Sequence, residues 1–180
     1  DLSLMSDVGR RAADVDVGDD AVDGRVDLCP VADARRRRGG PMTFDATTPA
    51  GIRALERLAT EKIGWLTTVN PDGQPQASAI WFLWEDGEVL IYSGKRAPRN
   101  GNLEDNPRVA FNLHTDAGGG DYVSMEGVAR FDPEHPVASA VPAYQAKYLS
   151  MIEGYGWTTQ YFDAEYPVVI KITPSRWRLG

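Results

Sequence analysis

Two turn signals standing close together, Pro71-Asp72-Gly73 and Glu85-Asp86-Gly87, constrain this chain more than any other feature. Proline presets the backbone for a turn, and glycine accepts the positive φ that tight reversals need. Around them lie β-rich runs over Ile63 to Asn70, Gln76 to Trp84 and Glu88 to Ser93. Short reversals between such runs predict neighbouring antiparallel hairpins. Two more strands are predicted. One spans Arg108 to Thr115, with Val109, Phe111 and Leu113 on one face, and the other spans Tyr122 to Phe131, beyond a triple-glycine connector. Val168, Ile170 and Ile172 belong to a last strand, which Pro174 is expected to interrupt before Arg176-Trp177-Arg178.

Helices are few. Thr48-Pro49 is an entry signal, because threonine caps and proline suits the first helical position. Ile52, Leu55, Ala59 and Ile63 follow at steps of three and four, so a helix is predicted over about 49–62 with those residues on its buried face. A short helix over 99–105 is stopped by Asn106-Pro107. Another starts at Pro142, carries Tyr144, Tyr148 and Met151 on one face, and ends near Gly154. Six strands with tight turns and flanking helices predict a mainly β fold, an antiparallel sheet closed into a small barrel. The second strand is apolar on both faces, with Ala79, Trp81 and Leu83 on one and Ile80, Phe82 and Trp84 on the other. Such a strand needs cover outside as well as inside, from a helix or from a second subunit. A homodimer is expected.

Composition narrows the function. Against 26 Asp and Glu there are 19 Lys and Arg, a formal charge of −7, which disfavours nucleic acid and anionic lipid as partners. No apolar run reaches the roughly 18 to 20 residues of a membrane helix. A single cysteine, Cys29, excludes a disulfide framework within the chain, and two histidines, His114 and His135, argue against metal catalysis. A reducing cytoplasm is the expected compartment. Residues 1–40 contain no aromatic residue, Lys or Glu, and all 17 aromatics lie after residue 43. So little to bury does not offset the entropy of ordering, so 1–42 is read as a disordered extension and 43–180 as the folded unit.

The chemistry concentrates after the third strand, where Lys95, Arg96 and Arg99 place three cations within five residues of an otherwise acidic chain. They precede a helix start, where free N–H groups and the helix dipole favour an anion. Arg99 suits two phosphate oxygens at once, while Lys95 is a movable point charge. A solvated loop with incidental basic residues is the alternative. Trp65, Trp81, Phe82, Trp84 and Tyr92 lie on three successive strands, as barrel core or as the wall behind a flat ring. Trp157 and Tyr161 lie in a polar, glycine-containing segment, suited to covering a ligand or filling a dimer seam. His114, opposite the apolar face of its strand, is read as solvent-facing. No Walker loop, no Gly-x-Gly-x-x-Gly after a strand and no serine-hydrolase elbow around Ser78 occurs. With no nucleophile in evidence, a cofactor has to supply the chemistry.

The succession Gly73-Gln74-Pro75, Ser78-Ala79-Ile80-Trp81-Phe82, Gly87, Ile91-Tyr92-Ser93, Arg99-Asn100-Gly101-Asn102-Leu103 and Asn106-Pro107-Arg108-Val109-Ala110 resembles the pyridoxamine 5′-phosphate oxidase-like split β-barrel proteins. It is most similar to their flavin/deazaflavin oxidoreductase subgroup B. The ending from Val168 to Arg178 is similar too, and the likeness covers about 43–180. It implies a six-stranded, FMN-binding-like split barrel, dimeric, holding F420 or, alternatively, FMN at the subunit interface. It further implies that Ser78, Ala79, Ile80 and Trp81 form the strand whose backbone faces the tricyclic ring. Ser93, Lys95, Arg96, Arg99 and Asn100 would form the phosphate loop, and Trp157 and Trp177 would reach in from the partner subunit. Arg99 stands where many relatives have lysine, keeping the charge. The implied activity is F420-dependent hydride transfer to a small organic substrate, with Tyr161 and His114 as proton donors by chemical type. An FMN enzyme of pyridoxamine phosphate oxidase type, a non-catalytic cofactor binder and a haem-degrading split barrel are the competing readings.

Overall fold

In a computed structural model, residues 44–180 are described, so the extension expected over 1–42 lies outside the described residues. The elements run α1 (Pro49–Thr60), β1 (Ile63–Val69), β2 (Pro75–Trp81), β3 (Leu83–Glu85), β4 (Glu88–Ser93), α2 (Pro98–Asp105), β5 (Arg108–Asn112), β6 (Val123–Phe131), a 3-10 turn (Ala138–Ala140), α3 (Pro142–Gly154), α4 (Thr159–Glu165) and β7 (Val168–Leu179). All pairings are antiparallel, in the order β2-β1-β5-β6-β7-β4-β3. The sheet curls into a half-barrel with flanking helices, the split β-barrel expected. Among the described residues no helix is long and apolar enough to cross a membrane.

Seven strands replace the six expected, because the predicted second strand divides at Phe82. The division sends β2 to one edge of the sheet and β3 to the other, one residue apart in the chain. Phe82 takes its hydrogen bonds from a side chain instead. The Tyr148 hydroxyl, buried in α3, accepts from the Phe82 N–H at 2.9 Å and lies 2.7 Å from the Phe82 carbonyl and 2.8 Å from that of Lys62. The turn between β3 and β4 holds Asp86 at φ 51° and Gly87 at φ 78°, the paired positive values of a two-residue hairpin loop. Pro174 does not end β7. It pairs with Gly127, and the register shift beside it leaves Ser175 as an extra residue, a bulge that tolerates a residue without an N–H. A Cβ on Gly127 would sit 2.8 Å from both Ile172 and the Thr173 carbonyl, so the crossing demands glycine.

Two apolar clusters result. Inside the barrel lie Leu66, Ile80, Phe82, Val89, Ile91, Phe111, Met125, Ile170 and Ile172. Outside it, α3 and α4 bring Tyr144, Tyr148, Ile152 and Phe162 against Leu83, Leu90, Tyr92 and Val169. Trp81 packs on this second cluster, so helices cover the outer side of the chain where β2 gives way to β3. Ala77 and Ala79, on the same outer face, are exposed. Helix α1 departs from its expected face: Gly51, Ala54 and Leu58 are buried, whereas Ile52 is 54% and Leu55 36% exposed. Small residues decide the rotation. Gly51 abuts the Asp45 carbonyl, and only Ala54 and Leu58 of this helix enter the barrel cluster.

Tyr148→Phe keeps the ring and removes the hydroxyl, leaving the buried Phe82 N–H and a carbonyl unpaired. Urea unfolding should show a loss of about 1–3 kcal/mol. Lys147, on the same helix, holds Nζ 4.1 Å above the Phe82 ring and donates to the Leu58 carbonyl at 3.3 Å. Burial pushes its amine down from 10.5 to about 8, with Lys62 adding to the effect and Glu61 opposing it. The unfolded chain therefore keeps this proton to higher pH than the folded one, and this amine adds stability as pH rises from 8 to 9, below the range where the buried tyrosines, whose phenols are pushed up, oppose it. Urea midpoints at pH 8 and 9 should show that rise in the wild type and a smaller one in Lys147→Met.

Candidate functional site

The end of β4 feeds a turn, closed by Ala97 N–H donating to the Gly94 carbonyl at 3.1 Å, and then α2. Pro98 opens that helix, so Arg99 projects from its first turn. Two elements hold the helix in place. Leu103 enters the barrel cluster, and buried Asn102 donates to Thr68 Oγ1 of β1 and Gln76 Oε1 of β2, both at 2.9 Å.

From this position Arg99 spans the seam where the curled sheet brings β2 near β4. Its Nε donates to Ser93 Oγ on β4 at 3.0 Å, and one Nη donates to Ser78 Oγ on β2 at 3.0 Å. Ser93, fully buried, donates its hydroxyl to Asn100 Oδ1 at 2.9 Å, and Asn100 Nδ2 donates to the Gly94 carbonyl at 2.9 Å. The guanidinium is thus oriented entirely by neutral groups. None of the ion pairs among the described residues includes Arg99. Burial pushes its pKa below the ordinary arginine value, with the Tyr166 phenol nearby opposing that. A partly desolvated cation with hydroxyl partners and no carboxylate is a standing electrostatic cost that a bound anion relieves. A phosphate fits the donors this leaves over: the second guanidinium Nη, the half-buried Ser78 hydroxyl and the helix start.

Four residues named from the sequence, Ser78, Ser93, Arg99 and Asn100, therefore meet in one network. The Ser78 hydroxyl itself takes part, beyond the strand backbone that the resemblance implied. Lys95 and Arg96 are exposed on the adjoining turn. Ala79 is exposed opposite Trp65, itself 40% exposed, while Ile80 is buried in the barrel and Trp81 turns outward. No strand flanks β2 on its other side among the described residues, so half of its backbone polar groups face away from the ladder.

Trp157 and Tyr161 lie on the helical flank, 5.6 Å apart, with the Tyr161 N–H capped by Thr158 Oγ1. Trp177 is elsewhere. It lies nine residues along β7 from Val168, which pairs with Ser93, or roughly 30 Å at strand rise. There its ring meets Phe44 at 4.9 Å and Trp84 at 5.5 Å, both edge-on. His114 is exposed just past β5, edge-on to Trp65, and lines a separate cavity of about 530 Å³ with Arg57, Glu61, Lys62, Asp116 and Asp121. Tyr166 has no marker in the sequence. It follows α4, an element the sequence reading lacked, and its ring borders Gly94, where an added Cβ would lie 3.9 Å away.

The family model described as pyridoxamine 5′-phosphate oxidase matches residues 52–179. No curated protein matches. Among solved structures, a conserved hypothetical protein of Mycobacterium tuberculosis is 25% identical, with TM-score 0.54, covering 80% of this chain and 89% of its own. A candidate pyridoxamine 5′-phosphate oxidase of Listeria innocua is 24% identical, with TM-score 0.51 and coverages of 71% and 95%. The haem storage protein of Vibrio cholerae is 16% identical, with TM-score 0.53 and coverages of 73% and 95%. These likenesses are of fold.

If the Arg99 network is an anion site, inorganic phosphate should raise the thermal midpoint of the wild-type protein above that in chloride of equal ionic strength. Arg99→Ala should show no such rise.

Proposed function

Because the chain belongs to the pyridoxamine 5′-phosphate oxidase family, we propose that it is an oxidoreductase whose Arg99 network holds the phosphate of F420. The observation that carries this is the guanidinium fixed between Ser78 and Ser93 without an acidic partner. F420 is favoured over FMN by the charge outside that network. Lys95 and Arg96 are exposed beside the half-buried Arg99, which suits a ligand carrying further carboxylates beyond its phosphate. FMN, with a phosphate alone, leaves those two cations without a task.

When bound, the reduced deazaflavin supplies a hydride, two electrons with one proton, and the substrate double bond takes a second proton from solvent or a side chain. The chain's own residues bind and align. Arg99 grips the phosphate, and Ser93 and Asn100 keep its fork in one orientation. The free edge of β2 at Ala79 to Trp81 offers backbone donors and acceptors to a flat heterocycle, and exposed Ala79 leaves room for it. Fixing the ring in this way removes the orientational part of the barrier. A homodimer pairing the exposed face around Trp65, Ala77 and Ala79 is part of the same reading, with Trp157 and Trp177 as contacts from the second copy.

Purified full-length protein titrated with F420 and FMN should bind F420 more tightly, by fluorescence quenching. Arg99→Ala should weaken F420 by roughly 1.5–3 kcal/mol, about ten- to a hundredfold. Tight FMN binding with F420 no better than millimolar would transfer the assignment to a flavin enzyme.

A further inference from the structure

Where α1, α3 and the break at Phe82 meet, one amine stands in a setting that no other lysine shares. Of the four lysines, Lys62 and Lys95 are exposed, and Lys171 is ion-paired with Asp132 at 3.0 Å. Lys147 is half-buried, and none of the ion pairs among the described residues includes it. Its Nζ lies 4.1 Å from the centre of the Phe82 ring and 5.7 Å from that of Tyr148, and it donates to the Leu58 carbonyl at 3.3 Å. The neighbouring acid is committed elsewhere, because Glu61 accepts from Arg57 Nε. The Tyr148 hydroxyl is likewise taken up, by the Phe82 and Lys62 backbone groups.

An ammonium drawn out of water without a carboxylate holds its proton less firmly than a solvated one. The neutral amine is the nucleophile, and a lysine desolvated against apolar surface or set beside a second cation is the activated form. Both conditions hold here, with Lys62 as the second cation. They agree with the lowered pKa of about 8, to which burial contributes most and which Glu61 opposes.

The surroundings also select the product. A carbamate or another anion in this half-buried place would face the Glu61 carboxylate and the Leu58 carbonyl. An amide is neutral, keeps an N–H for the Leu58 carbonyl and gives up only the cation–π contact with Phe82. The exposed ammonium of Lys62 favours a reagent that arrives as an anion.

We propose that Lys147 is an acylation site, modified directly by an acyl phosphate. The neutral Nζ attacks the acyl carbonyl. A C–N bond forms as the C–O bond to phosphate breaks, phosphate leaves with the electron pair, and the surplus proton of the amine passes to solvent. Acylation thereby removes a charge from the place where the second strand divides. The proposal is independent of what occupies the Arg99 network.

Acetyl phosphate is the probe. Full-length protein is treated at about pH 7.5 and digested, and the initial rate at each lysine is read by mass spectrometry. Lys147 should be acetylated at least about fivefold faster than Lys62, Lys95 and Lys171. In urea strong enough to unfold the chain, the four rates should fall within about twofold of one another, because the activating environment is gone. In the folded protein the Lys147 rate should level off above about pH 8, whereas in the unfolded chain it should go on climbing. Lys147 labelled no faster than Lys95, a preference that survives in urea, or a Lys147 rate that climbs alike in both states overturns the proposal.

Discussion

The fold turns on one residue whose backbone leaves the ladder. At Phe82 the chain stops pairing with β1 and begins the opposite edge of the sheet, so both edges hang from a single peptide unit. A buried backbone group without a partner is costly, and the Tyr148 hydroxyl removes that cost by serving both the N–H and a carbonyl. The curl that follows brings β2 and β4 together along a seam. Helix α3 thereby does two things: it supplies the aromatic cover for the outer face, and it licenses the break that makes the barrel split.

Arg99 occupies the seam thus created. It bridges the two strands through hydroxyl groups, which orient a guanidinium without neutralising it. Had a carboxylate stood at Ser78 or Ser93, the same bridge would be a closed ion pair with little to offer a ligand. Serine at both positions keeps the positive charge available, while burial raises the value of any anion that arrives. Structure and recognition are coupled here: the side chain that spans the split carries a half-buried charge with no acidic partner among the described residues. Tyr166, whose ring borders Gly94, ties this region to the aromatic cluster formed by α3 and α4.

Much of this was legible in residue order. Asp86-Gly87 announced its hairpin because few other pairs accept positive φ at both central positions, and Thr48-Pro49 announced α1 through capping chemistry. The cationic loop stood out against an acidic chain, and Ser78, Ser93, Arg99 and Asn100 do converge. What escaped depends on three-dimensional neighbours. Pro174 reads as a strand breaker until the bulge at Gly127 absorbs its missing N–H. The division at Phe82 is invisible because the group that compensates it lies 66 residues away. Helix α4 has a good cap in Thr158 but only seven residues, too few for a periodic signal, so Tyr166 carried no mark. The buried face of α1 was misjudged because hydrophobicity favoured Ile52 and Leu55, whereas close approach favoured Gly51 and Ala54.

The claim at the centre is that the seam arginine recognises the anionic end of a redox cofactor. It is tested most directly by comparing F420 with its phosphate-free deazaflavin riboside on the wild-type protein and on Arg99→Ala. The account predicts that the wild type prefers F420 by at least about tenfold, and that this preference collapses in the variant while riboside affinity stays put. Equal affinity of the wild type for the two compounds, or a preference that survives the loss of Arg99, would contradict it.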